Sequence, residues 1–163
     1  MTQDSILVVT TGGTFDKQYF DALSEYHIAE SVIEKLLETA RVTHPFRVIE
    51  LMRKDSLELA DEDRALIAAT IAAAPERRVV IIHGTDTMTE TAKVLAEIEG
   101  KTIVLTGALA PARFAESDAT FNLGMAFACC QSAQPGVWIT MNGSVFDGLK
   151  VRKDRAAGKF ITI

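Results

Sequence analysis

The chain has 163 residues, 48% of them hydrophobic, which is enough for one compact domain with a substantial core. Its formal charge of -5 excludes a general attraction to phosphate backbones or anionic membranes, so neither nucleic acid nor a membrane surface is an expected partner. The only cysteines, Cys129 and Cys130, are adjacent, which disfavours an ordinary disulfide, and the three histidines lack zinc-ligand spacing; no metal and no cofactor is expected.

The start, Met-Thr-Gln-Asp-Ser, has no basic region and precedes only a strand-length apolar run, so no signal peptide is expected. The richest apolar stretch elsewhere, residues 66–74, is too short to cross a bilayer and ends at Pro75; a cytoplasmic location follows as the expectation. Residues 6–11 are rich in branched side chains and predict a strand. Thr10-Thr11-Gly12-Gly13-Thr14-Phe15-Asp16 closes it, two glycines allowing the backbone to turn tightly and approach a ligand. This segment completes neither a dinucleotide fingerprint nor a phosphate-binding loop, and alone it divides evenly between a catalytic turn and an ordinary one. Residues 16–24, polar and aromatic, read as a loop that closes over Thr14.

A helix is expected over 31–40 and a strand over 46–52, followed by Lys54-Asp55-Ser56. A helix over 61–74 and a buried-looking strand over 79–83 come next. His83-Gly84-Thr85-Asp86-Thr87-Met88-Thr89-Glu90-Thr91 then crowds hydroxyls and carboxylates at the entry to a helix over 89–99, more than helix capping requires. His83 itself reads as a residue that satisfies hydrogen bonds at the strand end. A strand over 103–106 leads to Thr106-Gly107-Ala108-Leu109-Ala110-Pro111, whose small residues leave room for a substrate and expose backbone donors. A helix over 119–132 and a strand over 137–141 complete the alternation. Residues 142–163 carry turn signals at Asn142-Gly143 and Asp147-Gly148, with a basic run, Val151-Arg152-Lys153-Asp154-Arg155, placed after the hairpin. The order predicts a three-layer α/β fold of the Rossmann or flavodoxin kind: a mainly parallel sheet, helices on both faces, and a closing β-hairpin. Ligands of such sheets bind at the carboxyl ends of the strands.

Thr-Gly-Gly-Thr at 11–14 paired with His-Gly-Thr-Asp-Thr-Met at 83–88 resembles the two signature segments of the bacterial-type L-asparaginase family. The likeness continues through Gly107-Ala108, Phe121-Asn122-Leu123, Met141-Asn142 and Asp147-Gly148 to the run containing Lys153. It covers the larger amino-terminal domain of that family, so the chain resembles a short-form asparaginase, one catalytic domain over 1–163 without the usual smaller carboxyl-terminal domain. The resemblance implies Thr14 as nucleophile, Thr85 as second catalytic threonine, Asp86 as acidic partner and Lys153 as the lysine assisting the base. Ala108 corresponds to a backbone contact to the amide, and Tyr19 is the candidate for the family's first-loop tyrosine. The family's serine-glutamine pair is replaced by Lys54-Asp55-Ser56; Asp55 and Ser56 are expected to hold the α-amino and α-carboxylate groups, with Asp86 sharing the ammonium.

The implied substrate is L-asparagine, cleaved to L-aspartate and ammonia through a threonine acyl-enzyme, and the implied assembly is a homo-oligomer, dimer or tetramer. A lysine ordinarily titrates near about 10.4 and a neighbouring aspartate works against its acting as a base, so Lys153 reads as part of a proton relay. Two other readings stand beside this one. Glutaminase or amidotransferase-related chemistry differs by one methylene in the substrate. A noncatalytic amino-acid-binding or nucleotide-binding module is also compatible with the fold, which never establishes chemistry by itself.

Overall fold

Branched residues dominate the first strand, β1 (Ile6–Thr10), and every residue in it is buried, as a strand covered on both faces requires. A 3-10 turn (Thr14–Asp16) follows, then β2 (Lys17–Phe20), β3 (Glu25–Ile28), α1 (Ile33–Thr39), β4 (Phe46–Glu50) and a second 3-10 turn (Ser56–Glu58). The remainder is α2 (Asp61–Ala73), β5 (Arg78–Ile82), α3 (Met88–Leu95), β6 (Thr102–Thr106), α4 (Ala119–Ser132), β7 (Gly136–Met141), β8 (Ser144–Asp147), β9 (Val151–Asp154) and β10 (Lys159–Thr162). This computed structural model describes residues 4–20 and 24–163. Positions 1–3 of the amino-terminal segment read above, and 21–23 of the loop expected over 16–24, lie outside the described residues.

The main sheet has the order β4-β1-β5-β6-β7-β8, with the first five strands parallel and β8 antiparallel to β7. Strand side chains alternate between two cores. Leu7, Val9, Val79, Ile81, Ile103 and Leu105 pack on one face with Ile67 and Ile71 of α2 and Met88, Ala92 and Leu95 of α3. Ile6, Val8, Val80, Ile82 and Val104 pack on the other with Ile33 and Leu37 of α1 and Leu123, Ala126 and Phe127 of α4. Each fully buried aliphatic side chain of this kind stabilises the fold by about 1.5–3 kcal/mol. Cys129 and Cys130 are free thiols buried in the second core, and burial pushes Cys130 up to about 12, which removes thiolate reactivity.

This distribution fixes where a ligand can enter. The chain leaves β1 towards α1 on one face and leaves β5 towards α3 on the other, although the two strands are neighbours. The loops diverge above that pair, which opens a crevice at the carboxyl ends of β1 and β5. The Thr11–Asp16 and His83–Thr87 segments both begin there.

Residues 136–163 form two hairpins. Asn142 and Gly143, with φ of 53° and 69°, make the tight β7–β8 turn, a conformation in which both residues need positive φ. The second hairpin pairs β9 with β10, and the basic run makes up its first strand, with Arg155 in the turn, instead of following the hairpin. Strand alternation puts Val151 and Lys153 on the same side. Val151 and Phe160 are buried in the core, and Phe160 N–H donates to Asn142 Oδ1 at 2.8 Å, so Lys153 is carried inward over the sheet end. Among the described residues no helix is long and apolar enough to cross a membrane.

Candidate active site

Three loops meet at the strand ends because small residues let their backbones touch. Thr11 N–H donates to Ile82 O at 3.0 Å, extending the β1–β5 ladder past the strand, and Thr11 Oγ1 donates to the same carbonyl at 2.8 Å. Gly13 has φ of 85°, and a Cβ there would stand 2.6 Å from both Gly84 Cα and Gly84 N. Only glycine combines this conformation with so close an approach. The loop bearing Thr14 therefore abuts the loop bearing Thr85. On the far side a Cβ on Gly107 would overlap the His83 carbonyl and lie 3.3 Å from Thr85 Cγ2, so the segment holding Ala108 closes on Thr85 as well.

Thr85, Asp86 and Lys153 are joined directly. Lys153 Nζ donates to Thr85 Oγ1 at 2.7 Å and to Asp86 Oδ1 at 2.9 Å, and Arg155 Nε lies 3.3 Å from the same carboxylate oxygen. A hydroxyl has one proton and two acceptor positions. Thr85 Oγ1 accepts from the lysine, which leaves its own proton for another oxygen in the crevice. Such a pair can carry a proton between a reacting hydroxyl or water and the lysine nitrogen, which delivers one as an ammonium and takes one up as a neutral amine.

The loop after β4 reaches the same place. Gly13 N–H donates to Lys54 O and Lys54 N–H to Thr11 O, both at 3.0 Å. Ser56 is buried; its Oγ accepts from Thr87 N–H at 3.3 Å and its carbonyl from Thr87 Oγ1 at 2.7 Å. Asp55 caps the second 3-10 turn, accepting from Leu57 N–H at 3.3 Å, and pairs with Lys17 Nζ at 3.1 Å. Burial opposes the charged form of Asp55, but the Leu57 amide and the Lys17 ammonium outweigh it and hold the carboxyl below its usual range. Lys54 is turned away, with Nζ 2.8 Å from both carboxylate oxygens of Asp63.

His83 does what a strand-end histidine would do. Its Nδ1 lies 2.7 Å from Gly84 O and its Nε2 2.7 Å from Thr91 Oγ1. A carbonyl can only accept, so Nδ1 carries the proton and Nε2 accepts from Thr91. Burial lowers its pKa to about 4. In the unfolded chain histidine titrates near about 6.5, so on acidification the unfolded state takes up the proton first. The stability held by neutral His83 is intact above about 6.5 and is lost as pH falls towards 4, to the extent of about 3 kcal/mol. Urea unfolding at pH 7 and pH 4 should show wild type losing about that much more than His83→Gln; equal acid sensitivity of the two proteins would refute the assignment.

Two expectations about loops need revision. Residues 17–20 and 25–28 form a β-hairpin, not an irregular closing loop, held by pairs such as Tyr19 opposite Tyr26, whose rings lie 5.1 Å apart. A depression beside Thr14 is lined by Lys17, Tyr26, Leu109, Pro111 and Phe114. The tyrosine in that lining is Tyr26; Tyr19 packs beside it and is not among the lining residues. The second revision concerns residues 106–111: Leu109 and Ala110 give their amide protons to Asp118 at 3.0 Å, so these donors stabilise the loop and are not free for a substrate. Asn122 secures the same turn through Gly107 O and Asp118 Oδ2, both at 2.9 Å.

Reasoning from sequence missed Tyr26 and Lys17. The aromatic residues on either side of 21–23 are the signal that would have found the hairpin, and Lys17 follows Thr14 by three positions. Thr14, Thr85, Asp86, Lys153, Ser56 and Ala108 all belong to the segments converging on the crevice. Asp55 joins them through Lys17, and Tyr19 does not reach the depression.

Comparison with known proteins identifies the family. Residues 5–159 match the family described as asparaginase, N-terminal. The chain is 28% identical to a glutaminase-asparaginase of Pseudomonas fluorescens, over 91% of its own length and 45% of that protein's. It is 27% identical to an L-asparaginase of Thermococcus kodakarensis, over 94% and 48% of the two lengths. The solved structure of L-asparaginase I from Vibrio cholerae superposes with a TM-score of 0.85 at 28% identity, covering 99% of this chain and 52% of that one. The chain thus spans about half the length of the curated relatives it matches.

Proposed function

The chain belongs to the asparaginase family, and from that premise we propose that it hydrolyses the side-chain amide of L-asparagine to L-aspartate and ammonia, with Thr14 as nucleophile. The observation that supports this reading most is the bonded set Thr85–Lys153–Asp86 standing against the Thr14 loop through the Gly13–Gly84 contact. An amide carbonyl is a poor electrophile and a threonine hydroxyl a poor nucleophile, so a site of this kind must take up a proton and hold an oxyanion. Thr14 Oγ1 attacks the carboxamide carbon, its proton passes by way of Thr85 and Lys153 to the amide nitrogen, and the C–N bond breaks to release ammonia and leave an aspartyl ester. Water activated by the same pair cleaves that ester. Ser56, Asp55 and Asp86 hold the α-substituents, and the backbone at Ala108 faces the amide.

In this reading the first-loop tyrosine is Tyr26, because it lines the depression beside Thr14. Tyr26→Phe should lower kcat/KM for asparagine by about tenfold to a hundredfold, while Tyr19→Phe stays within about twofold. Steady-state ammonia release by the two variants checks it; the reverse ranking would return the role to Tyr19.

Glutamine is the second substrate to consider, because one relative is named a glutaminase-asparaginase and one methylene changes the fit of an apolar pocket only modestly. Parallel ammonia assays on L-asparagine and L-glutamine decide between them. Binding of asparagine without turnover would instead favour a noncatalytic module. Tyr26, Leu109 and Phe114 are exposed around the depression, and in this proposal a second copy of the chain covers them.

A further inference from the structure

Lys17 occupies a position between the two halves of the crevice. Its backbone N–H donates to Thr14 O, closing the 3-10 turn, so its place relative to Thr14 is fixed by the main chain. It lines the depression that contains Thr14 and also an adjoining one of about 310 Å³ that contains Asp55, Glu58 and Arg53. Tyr26 is the other residue shared by both linings, so the two hollows adjoin at Lys17 and Tyr26. At the junction, Lys17 Nζ and Asp55 Oδ2 stand 3.1 Å apart with about a quarter of each side chain exposed.

The neighbouring cations have other partners. Arg53 is paired with Glu50, Lys54 with Asp63, and Lys153 and Arg155 with Asp86. Arg113 donates to the carbonyls of Asp16 and Glu30. Lys17 is the cationic residue in the lining of the hollow beside Thr14.

We propose that the Lys17–Asp55 pair receives the zwitterionic end of the substrate, Lys17 taking its carboxylate and Asp55 its ammonium; the inference rests on the amidohydrolase reading of the site. An α-amino acid carries both charges on one carbon, so laid antiparallel to the pair it meets each charge with its opposite. A pair this exposed contributes little to the fold, and exchanging it for the substrate's own charges costs little. A neutral amide, or one carrying a single charge, gains only part of this match. Lys17 is thereby a specificity-determining residue within the three residues that follow Thr14.

Three amides separate the charges: L-asparagine has both, succinamic acid lacks the ammonium, and β-alaninamide lacks the carboxylate. Lys17→Gln should lower kcat/KM at least about tenfold, through KM, on asparagine and succinamic acid, and not on β-alaninamide. Asp55→Asn should show the complementary pattern, losing on asparagine and β-alaninamide only. Lys17→Arg, which keeps the charge, should recover most of the loss. Equal losses on all three amides, or undiminished asparagine turnover by Lys17→Gln, would overturn the assignment of Lys17 while leaving the amidohydrolase intact. Wild type silent on all three would overturn the reading of the site and this inference with it.

Discussion

Replacing Thr14 with alanine should reduce ammonia release from asparagine on the order of 10⁴-fold or more while leaving the protein folded. The size follows from the role: without the hydroxyl no ester forms, and the remaining groups can only polarise the amide for direct attack by water. The small effect on folding follows from the position. Thr14 is half-buried at the start of a 3-10 turn whose hydrogen bonds are made by the backbone, with Asp16 N–H donating to Gly13 O and Lys17 N–H to Thr14 O. Loss of a γ-methyl and hydroxyl at such a site costs about 1 kcal/mol or less. Mass spectrometry of acid-quenched turnover should find an aspartyl adduct on the peptide containing Thr14 in wild type and none in Thr14→Ala. Wild-type-like ammonia release by the variant would remove Thr14 from the chemistry.

The layered sheet could be read from the chain because its strands are buried on both faces, and such strands spell continuous branched runs: Ile6 to Val9, Val79 to Ile82 and Ile103 to Leu105. The polar clusters were readable for the complementary reason. A segment such as Thr85-Asp86-Thr87 right after a buried strand carries more hydroxyl and carboxylate than its turn needs. The β2–β3 hairpin escaped because it pairs only with itself and leaves most of its residues exposed, so no apolar alternation marks it. Its stabilisation comes from cross-strand aromatic contacts, Tyr19 with Tyr26 and Phe20 with His27, which are legible only once the register is known. The Lys17–Asp55 pair escaped for a related reason: the partners are 38 positions apart, and nothing local in either segment announces the other. Lys153 was identified by resemblance, yet its direction has a simple local cause, the two-residue period that places it on the side of buried Val151.

Lys153→Met should lower kcat/KM on the order of 10³-fold, mainly through kcat, because the lysine touches Thr85 Oγ1 and Asp86 Oδ1 without entering the lining of the depression beside Thr14. Methionine keeps the length of the stem, and Asp86 retains Arg155 at 3.3 Å, so the carboxylate is not left without a cation and the fold should survive. Lys153→Arg should not restore activity, since a planar guanidinium cannot take up the proton that the amine can. The decisive measurement is a double-mutant cycle with Thr85→Ala. If the lysine works by way of the Thr85 hydroxyl, the double variant is no slower than the worse single one, because either change alone already breaks the relay. Costs that add in full would mean that the two side chains act separately, and the proton would then have to travel by a route other than the 2.7 Å contact between them.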